Sequence, residues 1–200
     1  MNNGKKTGKA IMLLGVLCIA AAIGLAVFNS YTESKAGKAS ADVLMKLDMD
    51  SLTTEPADET DRPDYVINPD MLMRKKVIDG KEYVGKITVP ALDIELPVMA
   101  ECSKENLKTA PCVYEGTPYK NNLIVAGHNY RSHFGSLKLT EGDEVIFKDM
   151  DGNEFRYRVL NTEIIDETDK ASMSAGEWDL TLFTCTYSRT TRITVRCKMT

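Results

Sequence analysis

Residues 144–160 read EVIFKDMDGNEFRYRVL. Two runs, Glu144–Lys148 and Glu154–Leu160, flank the dipeptide Asp151-Gly152. Asp-Gly between two such runs is a strong hairpin signal, because the turn needs positive φ and glycine adopts it without steric cost. The same texture extends on both sides of this hairpin. Upstream, Tyr83–Val89 and Ile94–Met99 look like strands, punctuated by Pro90 and Pro97, and Asn122–Ala126 looks like a buried strand. Downstream, Leu180–Thr184 and Arg192–Cys197 close the chain. Many short strands with turn punctuation predict an all-β domain, mostly strand with short helices, closed as a small barrel or packed as a sandwich. It would occupy residues 81–200.

The chain before this domain has a different character. Lys5, Lys6 and Lys9 precede an uncharged run over residues 10–28, AIMLLGVLCIAAAIGLAVF. A helix needs roughly 20 residues to cross a bilayer. With a basic, acid-free segment at 1–9, the positive-inside rule keeps the N-terminus cytoplasmic and sends the rest outside. The rival is a cleaved signal peptide, but its apolar core is usually shorter. Ser34 and Ala36 imitate a cleavage site only well past the run. Cys18 sits in mid-span behind Leu17, which does not suit a lipoprotein site. No second long apolar run follows.

Residues 29–80 are expected to form a stalk. Within it, Val43, Leu44 and Leu47 share a face at helical spacing, so a short helix over Ala39–Met49 with a packing face is expected. From Ser51 to Pro69, prolines, acids and threonines predict an irregular linker.

The whole chain of 200 residues suits one domain plus an appendage, and its net charge of -4 with scattered Lys and Arg excludes the basic stripe of a nucleic-acid binder. There are five cysteines and two histidines. No CxxC occurs and only two histidines exist, so no zinc pattern is legible, no cofactor is expected, and a calcium site on loop acids stays an open alternative to no metal. Glu141, Asp143 and Asp151 are scattered loop acids. Outside the membrane, Cys102–Cys112 and Cys112–Cys197 are both possible bridges, and buried free thiols are the alternative.

Three pieces carry chemistry. Thr181-Leu182-Phe183-Thr184-Cys185 is a strand that ends at a cysteine. Leu123–Ala126 is a strand that runs out at Gly127-His128-Asn129. Arg192 opens the last strand. Each alone has an ordinary structural explanation. Together they are what thiol acyl transfer needs: a thiolate nucleophile, an imidazole to shuttle a proton, and a permanent cation to hold a carbonyl and its developing oxyanion. His133 and Arg189 are the alternative histidine and arginine. His133 lies in a polar loop, where a surface role is expected.

TLFTC at 181–185, the strand-end GHN at 127–129 and the arginine opening the next strand, in this order, resemble the sortase family. The resemblance covers residues 80–200. It implies a closed β-barrel of about eight strands, with Cys185 forming a thioacyl intermediate with an LPxTG-like sorting signal. It further implies His128 as general acid and base, Arg192 at the substrate backbone and oxyanion, Thr184 helping to build the oxyanion hole, and Asn129 as a second substrate-side residue. The partners implied are proteins bearing the sorting signal and an amine acceptor on peptidoglycan precursor or another surface protein. The location implied is a single-pass anchor in a Gram-positive-type envelope with the barrel outside. GHNY and TCTY lean toward class B, yet Glu167–Trp178 is too short for the long helix typical of that class. A non-catalytic binding barrel, with Cys185 structural, and a hydrolase of the same fold are the alternatives.

Overall fold

The computed structural model describes residues 3–51, 62–135, 137–186, 188 and 190–200. Arg189 and most of the acidic linker therefore lie outside the described residues. Residues 1–35 and 36–200 form separate compact units.

Helix α1 runs unbroken over Asn3–Ser51. A short helix within an irregular stalk was expected, but no proline interrupts residues 29–51, so the helix continues from the apolar run before it. The expected packing face is realised at Val43 and Leu47, which are buried, with Leu44 half-buried. Burying the two fully enclosed side chains contributes roughly 3–6 kcal/mol before ordering costs. Ser40 adds a hydrogen bond from its Oγ to the Thr109 carbonyl at 2.8 Å. A second helix, α2, is one turn at Asp64–Ile67.

Nine strands follow: β1 (Lys76–Ile78), β2 (Lys81–Val89), β3 (Ile94–Met99), β4 (Cys112–Glu115), β5 (Leu123–Gly127), β6 (Glu144–Asp149), β7 (Glu154–Asp166), β8 (Leu180–Cys185) and β9 (Thr191–Met199). Their order is β1-β2-β3-β4-β5-β8-β9-β7-β6, and β6 pairs back onto β2. Strands β2 to β9 thus form a closed eight-stranded barrel, with β1 appended to β2. The pairs β3–β4 and β5–β8 are parallel, and the others are antiparallel. Among the described residues, closure leaves only the short β1 with a free edge.

The Asp151-Gly152 hairpin is in place. Asp149 Oδ1 accepts from the backbone N–H groups of Asp151 at 2.9 Å and Asn153 at 2.8 Å. Gly152 takes φ of 89°. Side chains then alternate. Val145, Phe147, Phe155, Tyr157 and Val159 point into the barrel with Leu123, Val125, Leu180, Leu182, Val195 and Cys197. A second apolar layer lies on the outer face: Tyr83, Met99, Cys112, Ile124, Ala126 and Phe183, covered by Val43 and Leu47. Cys197 belongs to the inner layer and Cys112 to the outer one, so a bridge between them is not formed. Burial pushes the Cys197 thiol up to about 12. Between β7 and β8 stands only α3, Lys170–Ser174, capped by Asp169, whose side chain accepts from the Ser172 N–H.

Candidate active site

The site is assembled by strand register. In the β8–β9 hairpin Cys185 is paired with Arg192, and the Thr186 N–H donates to the Thr191 carbonyl at 3.0 Å. Paired residues of an antiparallel ladder face the same side. The seven-residue separation of the two is therefore a tight hairpin's span, and Arg192 Nη1 reaches Cys185 Sγ at 3.1 Å. The guanidinium is steadied on its other side by the Phe183 ring, with Cζ 5.9 Å from the ring centroid. Tyr114 packs edge-on against the same ring at 5.3 Å.

The histidine comes from the neighbouring parallel strand. Ala126 is paired with Phe183 and Gly127 with Thr184. The next step along each strand brings His128 and Cys185 to adjacent strand ends on the same outer face. Gly127 is required by close approach: a Cβ there would lie 2.3 Å from Phe134 Cδ2. The ring of His128 stacks on Tyr130, with centroids 3.9 Å apart and 6° between planes. Its Nδ1 is 3.2 Å from Asn129 Oδ1. With the proton on Nδ1 shared with that oxygen, Nε2 is the basic nitrogen. Cys185, His128 and Arg192 are all half-buried, accessible yet partly shielded from water.

Thr184 is fully buried, and strand alternation turns its side chain into the barrel, away from Cys185. Its Oγ1 has no hydrogen-bond partner among the described residues. Any role beside the substrate therefore falls to its backbone. Asn129 is half-buried beside the imidazole, its Oδ1 within reach of His128 Nδ1.

His133 is a correction. A polar loop suggested a surface residue, but it is 1% exposed. Its Nε2 lies 3.3 Å from Ser40 Oγ. Burial lowers its pKa to about 4, with the neighbouring His128 charge adding to the effect. It is a neutral strut between α1 and the barrel at ordinary pH.

Two contributors were not identified from sequence. Tyr130, read only as part of GHNY, is the surface on which His128 rests. Arg196 is 2% exposed, which is unusual for a charge. Its Nη1 donates to the Met173 carbonyl at 2.7 Å and to Thr181 Oγ1 at 3.0 Å, and its Nε pairs with Glu163 at 2.7 Å. It fastens α3 to the barrel wall. Neither the alternation of β9 nor its composition distinguishes Arg196 from the accessible Arg192. Among the described residues no group of three or more His, Cys, Asp and Glu side chains could hold a metal ion.

Comparison with known proteins agrees with this architecture. The family model of the sortase domain matches residues 87–200. Sortase A of Bacillus anthracis is 26% identical over 174 residues, covering 82% of this chain and 79% of that protein. Among solved structures, Listeria monocytogenes sortase A superposes with a TM-score of 0.52 at 28% identity, over 59% of this chain and 87% of that one. Sortase C1 of GBS pilus island 1 superposes with a TM-score of 0.53 at 25% identity, over 58% of this chain and 63% of that one. The shared barrel, the match over residues 87–200 and these relatives together place the chain in the sortase family.

Proposed function

We propose that this chain is a membrane-anchored cysteine transpeptidase that cleaves an LPxTG-like sorting signal and transfers the acyl part to an amine. The observation that carries the reading is the 3.1 Å contact of Arg192 Nη1 with Cys185 Sγ, with His128 at the adjoining strand end. A guanidinium donor stabilises a charged sulfur acceptor. Cys185 attacks the scissile carbonyl and Arg192 holds the oxygen on which negative charge develops. His128 protonates the leaving amine, which departs and leaves a thioester on Cys185. The incoming amine gives a proton back to His128, attacks the thioester and releases the thiolate. The acceptor is an amine on peptidoglycan precursor or on another surface protein.

Support for the anchor comes from α1. It is long and apolar enough to cross a membrane. Ile11, Leu13, Leu17, Ile23 and Phe28 are each more than half exposed, an arrangement suited to lipid. The basic residues before the span keep the N-terminus inside, which puts the barrel outside the cell.

The test uses the full chain in detergent with a library of LPxTG-like peptides and triglycine. The expected product is the peptide's N-terminal part joined to triglycine. Release of the same fragment with a free carboxylate only, whatever the triglycine concentration, would establish a hydrolase instead. No cleavage of any peptide would favour a binding barrel.

A further inference from the structure

The loop joining β3 to β4 holds two sulfurs against each other. The sulfurs of Cys112 and Cys102 lie 2.6 Å apart, closer than two unbonded sulfurs rest. The backbone that brings them together is fixed by other bonds. The Met99 N–H donates to the Pro111 carbonyl at 2.9 Å, the Leu107 N–H to the Ser103 carbonyl at 3.0 Å, and Asn106 Nδ2 to the Glu101 carbonyl at 2.9 Å. Joining the sulfurs therefore demands little new ordering of the chain. The two thiols differ in access: Cys102 is half-buried, whereas Cys112 is fully buried in the outer apolar layer.

We infer that Cys102 and Cys112 form a redox-active disulfide site that clamps the β3–β4 loop. Cys102 is the reachable sulfur and the attacking one. The Cys102 thiolate attacks one sulfur of an external disulfide, either a low-molecular-weight disulfide or that of a thiol oxidoreductase, and expels one thiolate. Cys112 then attacks the Cys102 sulfur of the mixed disulfide and expels the second. The two protons lost by the cysteines end on the two released thiolates, and two electrons reduce the oxidant. The proposed outward orientation supplies the oxidising surroundings in which such a bond persists.

The clamp bears on more than the loop. The Thr109 carbonyl, between the two cysteines in the chain, accepts the Ser40 hydroxyl of α1. Thr109 Oγ1 accepts from Lys81 Nζ at 2.6 Å. Cys112 is paired with Ala126, two residues before His128. The bridge thus ties together the shelf under α1 and the wall that leads to the histidine.

The test is made on the purified full chain, equilibrated with oxidised glutathione, alkylated in denaturant and digested with trypsin. Cleavage follows Lys86, Lys104, Lys108 and Lys120, so Cys102 and Cys112 fall on separate peptides, 87–104 and 109–120. The expected result is a linked pair of these peptides as the dominant species, lost on reduction and absent from Cys102→Ser. Recovery of the two peptides separately, each alkylated or each carrying glutathione, would overturn the inference. Because the oxidant is added to purified protein, a missing bridge counts against this site and leaves the transpeptidase and orientation readings untouched. Conversely, a bridge found in protein that cleaves no sorting peptide would sustain this site alone.

Discussion

Replacing His133 with glutamine should remove an acid sensitivity that the native barrel carries. His133 is 1% exposed, and burial holds its pKa at about 4, down from the ordinary 6.5. The unfolded chain therefore takes up this proton first as pH falls. The stability contributed by keeping the ring neutral is complete above about pH 6.5, and it is lost progressively down to about 4. Between pH 7 and pH 5 the loss is about 2 kcal/mol, a window chosen above the range where most carboxylates titrate. Glutamine keeps a polar group near Ser40 and cannot titrate. Urea unfolding of the full chain in nonionic detergent, followed by the fluorescence of the single tryptophan, Trp178, reads the difference. The native midpoint should fall by about 1 M urea between pH 7 and pH 5, while that of His133→Gln moves much less. The comparison is of pH slopes, so a lower absolute stability of the variant does not matter. Equal slopes for the two proteins would refute the claim that His133 is held neutral.

Other perturbations address separate links. Arg192→Ala should lower the rate of thioester formation by about 10²–10³-fold, the usual cost of an oxyanion donor, with peptide binding less affected; single-turnover kinetics would separate the two. Gly127→Ala places a methyl 2.3 Å from the Phe134 ring and should destabilise the barrel by about 1–3 kcal/mol. Because His128 follows directly, the residual folded protein should also react more slowly, which stopped-flow acylation would record. Arg196→Met leaves the carbonyls of Ser172 and Met173 and the Glu163 carboxylate without their donor, at a cost of about 3 kcal/mol. Proteolysis should then begin near α3, and cleavage elsewhere first would count against its fastening role.

Much of the barrel is legible in the chain because alternation and turn chemistry act locally. The 144–160 hairpin, the strand ending at Cys185 and the strand ending at Gly127 all coincide with observed elements. The missed parts have physical reasons. Strand β4 is four residues long and β1 three, too short for a period to show. The second half of β7 reads Asn161-Thr162-Glu163-Ile164-Ile165-Asp166, and its pairing with β9 fixes it as strand although no regular apolar alternation marks it. In the site, types and order are legible, whereas side-chain direction depends on the pleat. That is why Thr184 turns inward although it adjoins Cys185. His133 illustrates a tertiary override: nothing local in RSHFG tells that α1 will cover it.

The central claim is that Cys185 is an acyl-forming nucleophile served by His128 and Arg192. Intact mass spectrometry of the full chain, quenched in acid during reaction with a cleavable sorting peptide, tests it most directly. The account predicts an added mass equal to the peptide's N-terminal fragment, mapped to Cys185, absent from Cys185→Ala and strongly reduced in His128→Ala. An adduct mapped to another residue, or turnover undiminished in Cys185→Ala, would contradict it.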